Sequence, residues 1–146
     1  MKRILSAVAV IVLFAGTANA ATDEQKILEV VNTYYDALRA DDFTKFDSVI
    51  TSGFYAFDVG KRFNGRSLVE TIKSLHEAGK RFEWNVTEPD VHLAGNSAWA
   101  TWLNKGSVTD ASGSRKQDWL ESTYLEKQGD NWKMVFFHST RVQMPQ

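Results

Sequence analysis

The apolar period of the chain changes from helical to strand-like near Gly79, and this change narrows the fold class more than any other feature. Before it, Ile27, Val30, Val31, Tyr34, Ala37 and Leu38 recur at helical spacing and predict a first helix over Thr22–Ala40. Thr22 with Gln25 three residues on reads as its capping box. Asp41-Asp42 ends that helix and caps a short second one over Phe43–Ile50. Ser52-Gly53 breaks the chain, and Phe54–Asp58 follows as a short aromatic strand. Gly60–Gly65 reads as a loop, and Arg66–Ala78 as a third helix with Leu68, Val69, Ile72 and Leu75 inward and Gly79 as its stop.

After Arg81 the pattern alternates. Phe82, Trp84 and Val86 share one parity, and Val91–Leu93 and Ala98–Lys105 flank a Gly95-Asn96 hairpin turn. A loop over Asp110–Gly113 follows. Gln117–Glu126 and Trp132–Val142 are long strands joined by the turn at Gln128–Asn131. Three helices, one short strand among them, then a run of antiparallel strands predict an α+β domain. The helices pack on one face of a curved antiparallel sheet and enclose a pocket, a cone-shaped roll.

The first 20 residues stand apart. Lys2-Arg3 precede an apolar run over Ile4–Ala15, and Ala18-Asn19-Ala20 supplies the small residues of a cleavage site. This is the pattern of a secretory signal peptide cut after Ala20, and the apolar run is shorter than the ~20 residues of a membrane span. No cysteine follows the cleavage site to take a lipid. The expectation is a periplasmic or secreted protein, residues 21–146, as a single domain.

Loss of Lys2 and Arg3 leaves 15 basic against 18 acidic residues, net −3, which points neither to nucleic acid nor to an anionic membrane. With no cysteine at all, the domain is held by its core and not by disulfides. Five Trp, nine Phe and four Tyr are generous for this length and are expected to line a cavity as well as fill a core.

Two stretches carry a family resemblance. Val30-Val31-Asn32-Thr33-Tyr34-Tyr35-Asp36-Ala37-Leu38 resembles the first helix of SnoaL-like proteins and ketosteroid isomerases. Gly129-Asp130-Asn131-Trp132 through His138-Ser139-Thr140 resembles the closing hairpin of SnoaL-like proteins and of the association domain of calcium/calmodulin-dependent kinase II. Together they bracket most of the chain and imply the nuclear transport factor 2-like fold, which hosts isomerases, cyclases, dehydratases, transport factors and assembly domains.

Against that resemblance, the candidate chemistry centres on Asp58 and Tyr34. Asp58 ends an apolar-aromatic strand, where desolvation raises a carboxylate toward a useful base. The isomerases place their proton-shuttling aspartate similarly, although they tend to follow it with proline and this chain has Val59-Gly60. As a loop residue, Asp58 equally fits a cap of the following turn. Tyr34 resembles the isomerase oxyanion donor and also continues the core stripe. The isomerases share the oxyanion with a protonated aspartate on a later strand. Here no aspartate falls in register: Glu121 does, with Trp119, Thr123 and Leu125, while a shift by one residue offers Ser122.

Trp102 is expected to face the pocket, as is His138, which shares parity with Trp132, Met134, Phe136 and Thr140. With only His76 and His92 besides, and no paired histidines, no metal site is expected. No nucleophile elbow or phosphate-binding loop is present, so no cofactor is expected. Two functions remain: a binding module for a small apolar ligand, or a cofactor-independent isomerase or lyase using Asp58 as base on a small apolar carbonyl compound. Apolar residues on both parities (Trp99, Leu103, Leu120, Tyr124, Val135 and Phe137 beside the pocket set) predict a homodimer through the helix-free sheet face.

Overall fold

The computed structural model describes residues 21–143. The expected signal peptide lies outside the described residues. Helix α1 spans Asp23–Ala40 with the anticipated Thr22–Gln25 capping box, and α2 spans Phe43–Val49. Strands β1 (Ile50–Asp58) and β2 (Lys61–Asn64) form a hairpin, and α3 spans Gly65–Glu77. Then come β3 (Arg81–Glu83), β4 (Val86–Ala94), β5 (Ser97–Asp110), β6 (Gly113–Gln128) and β7 (Asn131–Arg141). The fold is α+β, with helices on one face of a curved, open sheet.

Three local expectations are corrected. The segment Lys61–Asn64, expected as loop, pairs with β1 as a strand. Its turn is only Val59-Gly60, both at positive φ (45° and 73°), so the polar, glycine-bounded stretch hides a tight hairpin. The alternating run at Phe82, Trp84 and Val86 is not one strand. Its first part pairs with β5 at Ser107–Thr109, the ladder is interrupted at Trp84-Asn85, and Val86 then pairs with Asn104 in the same register. Gly106 lies opposite the interruption, where the chains approach so closely that a Cβ would lie 1.9 Å from the Glu83 carbonyl oxygen. Finally the sheet is mixed. Its order is β2-β1-β7-β6-β5-β3, with β4 also on β5, and β1 runs parallel to β7. The hairpin partner of β1 is β2; its other edge is met by the last strand, arriving in the same direction.

The core lies between α1, α3 and the inner sheet face. Ile27, Val31, Tyr34, Tyr35 and Leu38 of α1 are buried against Ala98, Ala100 and Trp102 of β5 and Trp119, Thr123 and Leu125 of β6. The outer face keeps Trp99, Leu120 and Tyr124 exposed, with Phe57 and Leu93 nearby in the same sheet.

A bulge decides which residues of β7 belong to which face. Tyr124 pairs with Phe136, but the next residue, Leu125, pairs with Met134, so Val135 has no partner. Trp132 and Met134 are buried on the inner face, and beyond the bulge the inner set becomes Phe137 and Ser139. Phe137, expected on the outer face, is therefore core.

Candidate active site and ligand cavity

An interior cavity of about 100 Å³ opens between α1, α3 and the inner sheet face. Tyr34 and Leu38 of α1, Leu68 and Ile72 of α3, Trp119 and Glu121 of β6 and Phe137 of β7 line it, with Asp58, Ser139 and Arg141 toward one end. Drug-sized ligands occupy roughly 300–1,000 Å³, whereas an apolar void of about 150 Å³ accepts benzene. The cavity as it stands suits a compound of a few heavy atoms.

Glu121 is the most heavily bonded group in the cavity wall. It is buried, and its Oε2 accepts from the Trp102 Nε1–H at 2.7 Å, from the Asn104 amide at 2.8 Å and from the Tyr35 hydroxyl. The orientation of Asn104 is itself set from behind: its Oδ1 accepts the Asn85 N–H at 2.8 Å, so its NH₂ must face Glu121. The other carboxyl oxygen, Oε1, accepts only from the Ser139 hydroxyl at 2.9 Å. No cation pairs with Glu121 among the described residues. Burial pushes its pKa up; the donors from Tyr35, Asn104, Ser139 and Trp102 pull against that without cancelling it. A proton on this group belongs on Oε1, since Oε2 already faces three donors.

Tyr34 is 1% exposed and packs among Tyr35, Phe46 and Phe137, with ring centroids 5.1–5.2 Å away. Its hydroxyl has no hydrogen-bond partner among the described residues. No fully buried polar side-chain atom there is left unpartnered, so this hydroxyl fronts the open cavity. Burial, then the charges of Glu121 and Asp58, hold its pKa well above the usual phenol value, so it remains a proton donor.

Asp58 closes β1 and is half-buried at the cavity end. Burial raises its pKa; the Val59 N–H at 2.8 Å and the charges of Arg141 and His138 oppose the rise. The residue thus does two jobs that the sequence left as alternatives, capping the turn and fronting the cavity. It also lines an open groove on the far side of the same wall, with Phe57, Lys61, Arg62, His138 and Arg141.

Of the five residues expected at the pocket, Tyr34, Asp58 and Glu121 line the one cavity. Trp102 does not reach it and stands behind Glu121 as a hydrogen-bond donor. His138 is corrected to the opposite side: the bulge at Val135 turns it outward, where it is exposed beside Thr140. The β6 register puts Glu121 on the cavity face and Ser122 on the other. Tyr35, Asn104, Ser139 and Arg141 were not anticipated. Asn104 shares parity with Trp102 and was open to discovery; Ser139 and Arg141 were hidden by the bulge. Among the described residues no three His, Cys, Asp or Glu side chains gather as a metal site, and no helix is long and apolar enough to cross a membrane.

Comparison with known proteins agrees with this architecture. Residues 27–143 match the SnoaL-like domain family. No curated protein matches the chain. Among solved structures, a nuclear transport factor 2-like protein from Cytophaga hutchinsonii superposes with TM-score 0.70 at 8% identity, over 84% of this chain and 100% of that one. The association domain of CaMKII from C. elegans gives 0.65 at 20% identity, over 80% and 94%. A protein with a cystatin-like fold from Caulobacter vibrioides gives 0.65 at 16%, over 82% and 89%. At these identities the likeness is one of fold.

Proposed function

Because the chain belongs to the SnoaL-like domain family, we propose that it is an exported protein that binds a small, largely apolar molecule in the cavity between α1 and the sheet. One observation carries the reading: Tyr34 is a core residue, yet its hydroxyl has no partner among the described residues and fronts a cavity whose lining is otherwise mostly apolar. A hydroxyl donor left open on a cavity is available to a ligand oxygen or an ordered water. Native mass spectrometry of the protein recovered from its exporting host tests this. A retained small molecule, lost in Tyr34→Phe, is the expected result; a ligand-free protein that no small carbonyl compound stabilises against heat would end the proposal. Sequencing of the exported protein from its N-terminus should begin at Ala21, on the strength of Ala18-Asn19-Ala20.

A second reading is cofactor-independent isomerase or lyase chemistry. Its support is the pairing of a desolvated carboxylate at the rim, Asp58, with a hydroxyl donor deeper in, Tyr34, beside Glu121, whose pKa burial also raises. Asp58 would take a proton from the carbon beside a carbonyl while Tyr34 donates to the developing oxyanion. Exchange of that carbon-bound proton for deuterium, followed by NMR, should stop in Asp58→Asn with binding retained; unchanged exchange would leave binding alone.

The uncovered sheet face fits a homodimer. Trp99, Leu120 and Tyr124 form an apolar surface there that a monomer seldom leaves in water, and the same fold serves as an association domain in the CaMKII relative.

A further inference from the structure

We infer that the ligand is a small carboxylate, held by its charged end on Arg141 at the cavity mouth with its apolar body inside. This rests on the binding reading above and adds the chemical class of the ligand.

Arg141 is distinguished by what it lacks. Every other arginine among the described residues is engaged. Arg39 bonds Asp36 and the Trp84 carbonyl, and Arg66 pairs with Glu70 at 2.9 Å. Arg81 bonds the His76 and Lys80 carbonyls, Arg115 pairs with Asp110 at 2.8 Å, and Arg62 stacks 3.9 Å over the Tyr55 ring. Arg141 makes no ion pair, side-chain hydrogen bond or aromatic stack among these residues. Yet it lines both the interior cavity and the outer groove, at the wall between them. A guanidinium offers five donors in a planar fork that matches a carboxylate in bidentate fashion.

The surroundings select the same sign of charge. Lys61, Arg62 and Arg141 line the groove against one acid, Asp58, although the chain from Ala21 onward is net negative. The groove shares Asp58, Val59, Ser139 and Arg141 with the cavity wall, so its cations draw anions to the place where Arg141 reaches the cavity. Inside, the unmet group is a donor, the Tyr34 hydroxyl, while the interior acid, Glu121, already faces four donors. The lining therefore offers little to an amine and much to a ligand rich in acceptors. Leu38, Leu68, Ile72 and Phe137 leave a short branched or cyclic hydrocarbon body as the part that fits.

Three near-isosteres test the inference by calorimetry and tryptophan fluorescence: 3-methylbutanoate, its primary amide and 3-methylbutylamine. The carboxylate should bind about tenfold or more tightly than the amide, as expected for a charge-assisted pair. Arg141→Gln should abolish that advantage while leaving the amide unchanged, and Arg141→Lys should keep part of it. Arg141 is exposed at a strand end, so an unshifted melting temperature will confirm that both variants fold. A carboxylate-to-amide ratio untouched by Arg141→Gln, or preferred binding of the amine, overturns the anion assignment while leaving the cavity a binding site. Failure of all three to bind overturns both.

Discussion

Trp102 and Glu121 stand opposite each other across the β5–β6 ladder, and the indole N–H of one donates to a carboxyl oxygen of the other at 2.7 Å. A buried acid answered only by neutral donors is held in place more firmly than it is held in charge. Its position is fixed by Trp102, Asn104 and Tyr35, while burial keeps its proton within reach.

Substitution of Glu121 should separate these two properties. Glu121→Ala strands the donors of Tyr35, Trp102, Asn104 and Ser139 and should cost about 3 kcal/mol or more in urea unfolding. Glu121→Gln can still accept on one side and donate to Ser139 on the other, and should cost about 1 kcal/mol or less near pH 5. The pH dependence has a definite sign. The folded-state pKa is raised, so the contribution of this group is fully present below its unfolded value of about 4.3 and is lost as pH rises through the folded value. Glu121→Gln should therefore gain stability relative to wild type between pH 5 and 8. A residual slope of the same sign remains from Asp58, whose pKa is also raised by burial. A constant difference across that range would contradict the assignment.

The adjacent tyrosines should behave oppositely. Tyr35→Phe removes a hydrogen bond to a buried carboxyl group and should cost about 1–2 kcal/mol. Tyr34→Phe removes a hydroxyl with no protein partner and should change stability by less than about 0.5 kcal/mol. Paired denaturation curves check the contrast.

Val59 carries backbone strain in the β1–β2 turn. A β-branched residue at φ 45° is disfavoured by about 1–2 kcal/mol, and an asparagine or glycine is at ease there. Val59→Asn should stabilise the protein by about 1 kcal/mol. Equal or lower stability would mean that the exposed valine side chain, which lines both cavity and groove, contributes packing that offsets the strain.

The outer sheet face should lose self-association when charged. Tyr124→Arg, at a position 37% exposed, places a cation amid the apolar surface. Sedimentation should show a dimer in wild type and a monomer in the variant with an unchanged melting profile of the monomer; a wild type that stays monomeric at millimolar concentration would remove the dimer.

The helices were legible because their signals are local. The Thr22 capping box and the Ile27–Leu38 stripe need no distant partner to be read. Glu121 was legible for a related reason: β6 keeps unbroken register with β5 from Ser97 to Asp110, so parity carries from one end to the other. What escaped depends on a neighbour. The parallel pairing of β1 with β7 is chosen by chain return, not by either strand's composition. Val59-Gly60 lacks the usual asparagine of its turn type, so β2 went unseen. His138 was misassigned because the apolar run Met134-Val135-Phe136-Phe137 satisfies either phase, and only pairing with Tyr124 and Leu125 shows where the count slips.

That slip at Val135 makes β7 two half-strands in one. The half before it, Trp132 and Met134, is committed to the core, while the half after it presents Ser139 and Arg141 to the mouth and His138 and Thr140 to the far side. Deletion of Val135 would leave a regular ladder in which Phe136 still pairs with Tyr124 and Ser139 with Glu121, so both sets would keep their faces. Pairing of Val135 itself with Tyr124 would instead slide the later half by one residue and bring an imidazole and a hydroxyl to the cavity in place of a hydroxyl and a guanidinium. The extra residue in β7 thus decides which chemistry this strand offers the cavity, and a slip of its pairing by one residue would change that chemistry more than substitution of any one lining residue.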